Sequence, residues 1–255
     1  MSVYGAVADG WPGATMADAC TVTLVDRDYT LFIEREDDEL LVLDGLALVQ
    51  GFLAGDPSAR PGGYNDQAGL GDREAISLAD VRLVNSTMRA RAEHARWAPI
   101  IAADQRWLSR IPDELDLIET DDDAWATARG DQLVNEAIAR CIVPYIALAR
   151  STKVLHLKRP RAFPVLDELA IQMMGLPVPD KRQARIRVAQ RAAAALRREG
   201  RRNIHALRHI QDATASERTR LTLIRLLDIA LWFAHPAASA DGTLREITVT
   251  IRGRG

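Results

Sequence analysis

Lysine is close to absent from this chain. It occurs at 153, 158 and 181 alone, so 30 of the 33 basic residues are arginine. Such a bias reflects a GC-rich coding sequence and is not read as selection for phosphate. Cysteine is scarcer still, at Cys20 and Cys141. Two isolated thiols build neither a disulfide framework nor a zinc or iron–sulfur site, and a reducing cytoplasm is the expected setting. Among the five histidines, His205 and His209 form one i,i+4 pair with no third ligand in view, so no metal is expected. Long apolar runs are missing too. The longest, Leu226–Ala234, is interrupted by Asp228 and is too short to cross a bilayer. The N-terminus lacks a charged-then-apolar signal pattern, so no membrane partner is expected. There is no phosphate-cradling Walker loop, no dinucleotide Gly-x-Gly-x-x-Gly and no Gly-x-Ser-x-Gly elbow. No cofactor is expected.

What the chain does have is length, apolar content and a skewed charge. Its 255 residues are 47% hydrophobic, enough for one large helical domain with an ordinary core. Net charge is −2, but residues 1–150 hold 13 arginines against 26 acidic residues, and residues 151–255 hold 20 basic residues against 9 acidic ones. Two readings follow: a nucleic-acid face, or a basic half neutralised by an acidic half within the molecule.

Residues 1–19 carry Gly5, Gly10, Pro12 and Gly13 and suit a flexible arm. Residues 20–255 are then expected to form a single, mostly helical domain with terminal strands. Strands are predicted near 21–33, as a hairpin about Asp26-Arg27-Asp28, and at 246–251, where the alternation is strict. Together they would make a small sheet from the N- and C-terminal segments. Helices are predicted over 40–53, 77–92, 133–148, 166–174, 182–198 and 217–234, from apolar spacing and punctuation. Arg89–Arg110 is expected to be helical and broken near Pro99, and Pro144 is the expected kink in 133–148. Ser77 with Asp80 predicts a capping box, and Asp121-Asp122-Asp123 suits a helix N-terminus.

The segment with most chemical content is Lys153–Gly175. Lys153, Lys158, Arg159 and Arg161 cluster before a turn fixed by Pro160 and Pro164. Asp167 then opens an apolar helix through Leu169, Ala170, Met173 and Met174. Basic side chains here could hold backbone phosphates. A solvated turn is the plain alternative. A carboxylate at a helix start caps that helix. It could also stabilise a developing sugar cation and orient water. The dipole of the helix would keep it anionic. His156, between leucines, either packs or faces the same site.

This stretch resembles the end of the helix-hairpin-helix DNA glycosylase motif, where a short helix leads into a turn of the form Pro-x-x-x-Val-Asp and the aspartate is catalytic. The resemblance covers roughly 135–175. It implies a helix-hairpin-helix glycosylase-like helical domain, with Asp167 as the catalytic residue. It implies that Arg150, Ser151, Thr152, Lys153, Lys158, Arg159 and Arg161 contact nucleic acid, with duplex DNA as partner. The hairpin of that superfamily holds phosphate on a Gly-x-Gly turn; Ile146–Thr152 stands in its place without glycine. Bifunctional members carry a nucleophilic lysine just after the turn, and here Lys153 falls slightly off that register. The expected activity is therefore monofunctional DNA N-glycosylase. The alternative is a non-catalytic helical module that keeps the fold and binds a protein partner. Lys158–Asp167 and Leu221–Phe233 also resemble an uncharacterised bacterial family of unknown function.

Two further features bear on that expectation. Arg182, Arg185, Arg187, Arg191, Arg197, Arg198, Arg201 and Arg202 form a second basic run on an alanine-rich helix. It could meet phosphate, an acidic partner or water. Base flipping needs an aromatic wedge or platform. Trp97, Trp107, Trp125, Tyr145, Phe163 and Trp232 are the candidates, and Trp11 lies in the arm.

Overall fold

The computed structural model describes residues 27–88, 90, 93–143, 146, 148–178, 181–216, 220–235 and 248–252. The arm, Trp11, Cys20, Thr21–Val25 and Tyr145 lie outside the described residues.

The fold is mostly helical and carries a small antiparallel sheet, as expected. Strand β1 (Thr30–Glu34) pairs with β2 (Glu39–Asp44), and β2 pairs with β3 (Thr248–Arg252), in the order β1-β2-β3. The register runs Thr30↔Asp44 to Glu34↔Leu40 on one side of β2 and Glu39↔Arg252 to Leu43↔Thr248 on the other. Segments from the two ends of the sequence thus share one sheet. The hairpin predicted about Asp26-Arg27-Asp28 involves Thr21–Asp26, outside the described residues. The described hairpin turns at Arg35–Asp38. Asp38 takes a left-handed conformation there, at φ 63°, which Asp tolerates better than most residues.

The prediction of a helix from residue 40 is corrected. Leu40–Asp44 is strand, with Leu41 and Leu43 buried on one face of it. A short apolar run does not distinguish strand from buried helix by composition alone. The helix begins only after Asp44, whose side chain accepts from the Ala47 N–H at 3.0 Å and caps α1 (Gly45–Gly55).

The free edge of β1 is covered from within. Asn203 accepts from Phe32 N–H and donates to Phe32 C=O, both at 2.8 Å. Glu199 accepts from Glu34 N–H at 3.1 Å. Two otherwise puzzling buried polar side chains thereby close an edge that would invite another strand.

After α1 come a single turn, α2 (Tyr64–Gln67), and then α3 (Leu78–Thr87). The Ser77–Asp80 capping box forms as predicted. Residues 94–109 are not one broken helix. They are short turns, among them α4 (Ala98–Ile101) and α5 (Arg106–Ser109). Pro99 helps open α4 rather than break a longer helix. Asp121 caps α6 (Asp122–Thr127) through the Ala124 N–H, as its acidic cluster suggested.

The predicted helix 133–148 is two elements: α7 (Gly130–Cys141) and α8 (Leu148–Lys158), packed on each other. α7 ends at Cys141, with the Ile142 N–H bonded to the Ile138 carbonyl; the kink predicted at Pro144 falls outside the described residues. Then follow α9 (Glu168–Met173), α10 (Arg182–Arg202), α11 (Ile204–Thr214) and α12 (Leu223–Ala234). Of predicted helix 217–234, residues 217–219 lie outside the described residues, and α12 starts at Leu223, where Thr222 caps it by accepting from the Arg225 N–H. α12 is buried along almost its whole length and packs against α1, α9, α10 and α11.

The two charge halves meet inside the molecule. From α10, Arg191 and Arg198 pair with Glu36, Arg197 and Arg201 with Asp122, and Arg202 with Glu34. From α11, Arg208 pairs with Glu119. Much of the second basic run is thus matched to acidic residues of the first 150. His205 and His209 are exposed on α11, and no cluster of three metal-binding side chains occurs among the described residues. None of the described helices is long and apolar enough to cross a membrane.

Candidate functional site

Asp167 is the N-cap of α9. Its Oδ1 accepts from the Ala170 N–H at 3.0 Å. It also lines a cavity of about 190 Å³, so the cap does not exhaust the position. Lys153 from α8, Arg225 and Asp228 from α12, and Asp56 after α1 line the same cavity. Phe52, Met88, Val165 and Trp232 supply its apolar wall.

The loop that carries Asp167 is held at successive residues. His156 Nδ1 lies 2.6 Å from the Phe163 carbonyl oxygen, which fixes the proton on Nδ1 as donor. Asp228 Oδ2 accepts from Val165 N–H at 2.9 Å. Thr152 Oγ1 accepts from Leu166 N–H at 3.0 Å. Thr222 donates to the Pro160 carbonyl at 3.0 Å. The sequence alternatives for His156 resolve in favour of packing: it is buried, stacked on Tyr64 at 5.7 Å between centroids. Tyr64 in turn donates to the Lys153 carbonyl at 2.6 Å.

Burial dominates the electrostatics. It pushes the Asp167 carboxyl above its ordinary value, against the Ala170 hydrogen bond and the charge of Lys153. The helix start and Lys153 still favour the anion, as the sequence reading expected, but burial is the larger influence. Desolvation outweighs the backbone donors. Lys153 moves the opposite way, lowered by burial, with Asp167 opposing the shift. Its Nζ donates to the Met88 carbonyl at 3.2 Å. Asp228 is also raised by burial, against its ion pair with Arg225 at 2.5 Å. Opposed acids and bases with displaced proton affinities in one cavity are a recurrent mark of reactive sites.

The other residues taken from sequence as nucleic-acid contacts do not gather there. Ser151 and Thr152 lie within α8 and are buried, Ser151 donating to the Cys141 carbonyl at 2.8 Å. Lys158 is 2% exposed and bonds Asp80 and the Asp72 carbonyl, both at 2.6 Å. Arg159 is equally buried and donates to the carbonyls of Ile111, Arg73 and Leu108. Those two cations tie the loops at 72–74 and 108–113 to the end of α8. Arg161 is exposed but engaged with Asp116 and Glu119. Arg150 is half-buried on α8. Of that set, Lys153 alone reaches the Asp167 cavity, although its sequence position was slightly off register. Of the aromatic candidates, Trp97, Trp107, Trp125 and Phe163 are core residues, and Trp232 lines the cavity. Trp232 is braced edge-on by Phe52, at 6.1 Å.

Arg225 and Asp228 were not singled out from sequence as site residues. Their signal was nonetheless present: a charged i,i+3 pair inside Leu-Ile-Arg-Leu-Leu-Asp-Ile-Ala-Leu. Charges in an otherwise apolar helix must be paired or satisfied by neighbours. A second cavity, of about 220 Å³, lies between α7 and α10 beside Trp125 and Arg197. Arg197 stacks over the Trp125 ring at 4.3 Å, so the ring already has a cation on it.

Residues 68–235 match a family described as a family of unknown function (DUF6308). The chain belongs to that family. The matched region includes Lys153, Asp167, Arg225, Asp228 and Trp232, while Phe52, Asp56 and Ser58 of the cavity precede it. No curated protein and no solved structure matches the chain.

Proposed function

We propose that this family member hydrolyses an N-glycosidic bond in DNA, with Asp167 as the group that opposes the developing sugar cation. The supporting observation is that Asp167 lines a cavity together with Lys153 and Trp232 instead of capping α9 on a closed surface. At about 190 Å³ the cavity is smaller than the roughly 300 Å³ and upward of typical small-molecule sites. It suits one extruded base or sugar, not a whole nucleotide. In the reaction the C1′–N bond breaks and its electron pair leaves with the base. Water adds to C1′ and gives up a proton, which Asp167 can take. The fixed carboxylate needs no reorganisation as charge develops.

A second reading is favoured by Lys153 itself. A lysine whose proton affinity is lowered by burial is a better nucleophile, and this one lines the cavity beside Asp167. It would turn base release into release followed by strand cleavage. The test is incubation of the protein with duplexes carrying alkylated, oxidised or deaminated bases, followed by separate scoring of free base, abasic sites and borohydride-trapped protein. Free base and abasic sites without trapping match the hydrolytic reading. Trapping that disappears in Lys153→Gln assigns the lyase step to Lys153. No base release from any substrate of the panel refutes both for those substrates. Duplex binding is read separately, by fluorescence anisotropy over a salt series, where phosphate contacts predict a steep loss of affinity as salt rises.

A further inference from the structure

Asp228 carries more structure than its place in an apolar helix requires. Its Oδ2 receives the Val165 N–H at 2.9 Å, two residues before Asp167. Its Oδ1 pairs with Arg225 at 2.5 Å, and both side chains are almost fully buried. Arg225 is itself located by Asn65, whose Oδ1 accepts from its Nε at 3.1 Å, and its guanidinium lies over Phe52 at 5.4 Å. Asp228 and Arg225 line the same cavity as Asp167 and Lys153. A simple cap for the Val165 amide would not need a buried ion pair. A neutral acceptor would serve at lower desolvation cost.

We propose that Asp228 is the positioning residue of this site: through the Val165 amide and its pairing with Arg225 it fixes where the Asp167 carboxylate sits and how much positive charge faces it. The proposal names a role for a residue of α12 and rests on the reading of Asp167 as the reactive group. The charged and titrating groups around the Asp228–Arg225 pair are Asp167 beyond the loop, Lys153 and His156 on α8, Tyr64 on α2, and Asp56 after α1. With Asp228 neutralised, Arg225 faces Asp167 without compensation, and Arg225 favours the Asp167 anion. With both Arg225 and Asp228 neutral, the two opposing influences are removed together. Direction therefore separates this role from a purely structural one.

The experiment follows the Asp167 carboxyl carbon by 13C NMR across pH in the full chain. The Asp167→Asn variant identifies the signal. Asp228→Asn keeps an acceptor for Val165 and removes the charge. It is expected to lower the Asp167 midpoint by about one pH unit. The double variant Asp228→Asn with Arg225→Gln is expected to bring the midpoint back towards wild type. In base release, the acid limb of the rate profile should move with the NMR midpoint in each variant. An unchanged Asp167 midpoint in folded Asp228→Asn overturns the proposal. If Asp228→Asn does not fold, Arg225→Gln carries the test with opposite sign: Asp167 should titrate higher, and no movement overturns the proposal. If the NMR midpoints move as expected and no chain releases a base, the positioning role stands and the N-glycosidase reading fails.

Discussion

His156 is the residue at which acid should loosen the candidate site. It is fully buried, bonded to the Phe163 carbonyl, and its proton affinity is pushed from 6.5 down to about 3 by burial and by Arg225. The native state therefore holds fewer protons than the unfolded chain between those values. Its contribution is complete above pH 6.5 and is lost as pH falls towards about 3. The full effect is on the order of 4–5 kcal/mol. Urea denaturation at a series of pH values should show stability falling over this window. His156→Gln, whose amide can still donate to Phe163, should flatten that part of the curve at a cost of about 1–2 kcal/mol near neutrality. An unchanged acid slope in the variant would mean that other groups carry it. At this scale, sequence showed Asp167 as a cap and a candidate, because a carboxylate before an apolar helical repeat has a local cause. It did not show that burial raises the Asp167 carboxyl above its ordinary value. That depends on burial, and the apolar side chains that share its cavity, Phe52, Met88 and Trp232, come from distant parts of the chain.

Among the elements, helix ends were legible where a side chain makes the stop. Ser77, Asp121 and Asp167 each cap as their spacing indicates. Boundaries failed where apolar composition hid a change of period, as at Leu40–Asp44, or where one apolar stretch holds two helices, as over 133–148. The placing of α7 also depends on a contact no pattern reveals. A Cβ on Gly130 would come within 2.3 Å of the Trp125 ring. That ring is fixed by its N–H to Asp131 at 3.0 Å and by the guanidinium of Arg197. Gly130→Ala should therefore destabilise by about 1–3 kcal/mol through overpacking, despite the better helix propensity of alanine. Thermal melts with tryptophan fluorescence would measure it. A variant as stable as wild type would show that α7 can shift away from the ring. The β1 edge makes a similar point. Asn203 and Glu199 look like ordinary helix residues in sequence, and their role exists only because β1 lies beside α10.

Over the whole molecule, the opposed charge of the two halves was plain from sequence, but where it is neutralised was not. Arginines of α10 and α11 meet Glu34, Glu36, Glu119 and Asp122. Lys158 and Arg159, expected to hold phosphate, instead bind carbonyl oxygens and carboxylates within the protein. A sequence gives the sign of a side chain and not its direction. Lys158→Ala or Arg159→Ala should lower unfolding free energy by about 2–4 kcal/mol, since each leaves buried partners unmatched. Exposed Arg187→Ala should stay within about 0.5 kcal/mol. Denaturation midpoints measured together with DNA affinity would separate these outcomes. Unchanged stability with weakened DNA binding would restore the phosphate-contact role. The decisive comparison for Asp167 is base release by wild type and Asp167→Asn on the same damaged duplexes at matched fold. Asn can still accept from the Ala170 N–H, so helix stability should change by no more than about 1 kcal/mol. Base release should fall by orders of magnitude. Equal release by the two proteins would make Asp167 a helix cap and nothing more.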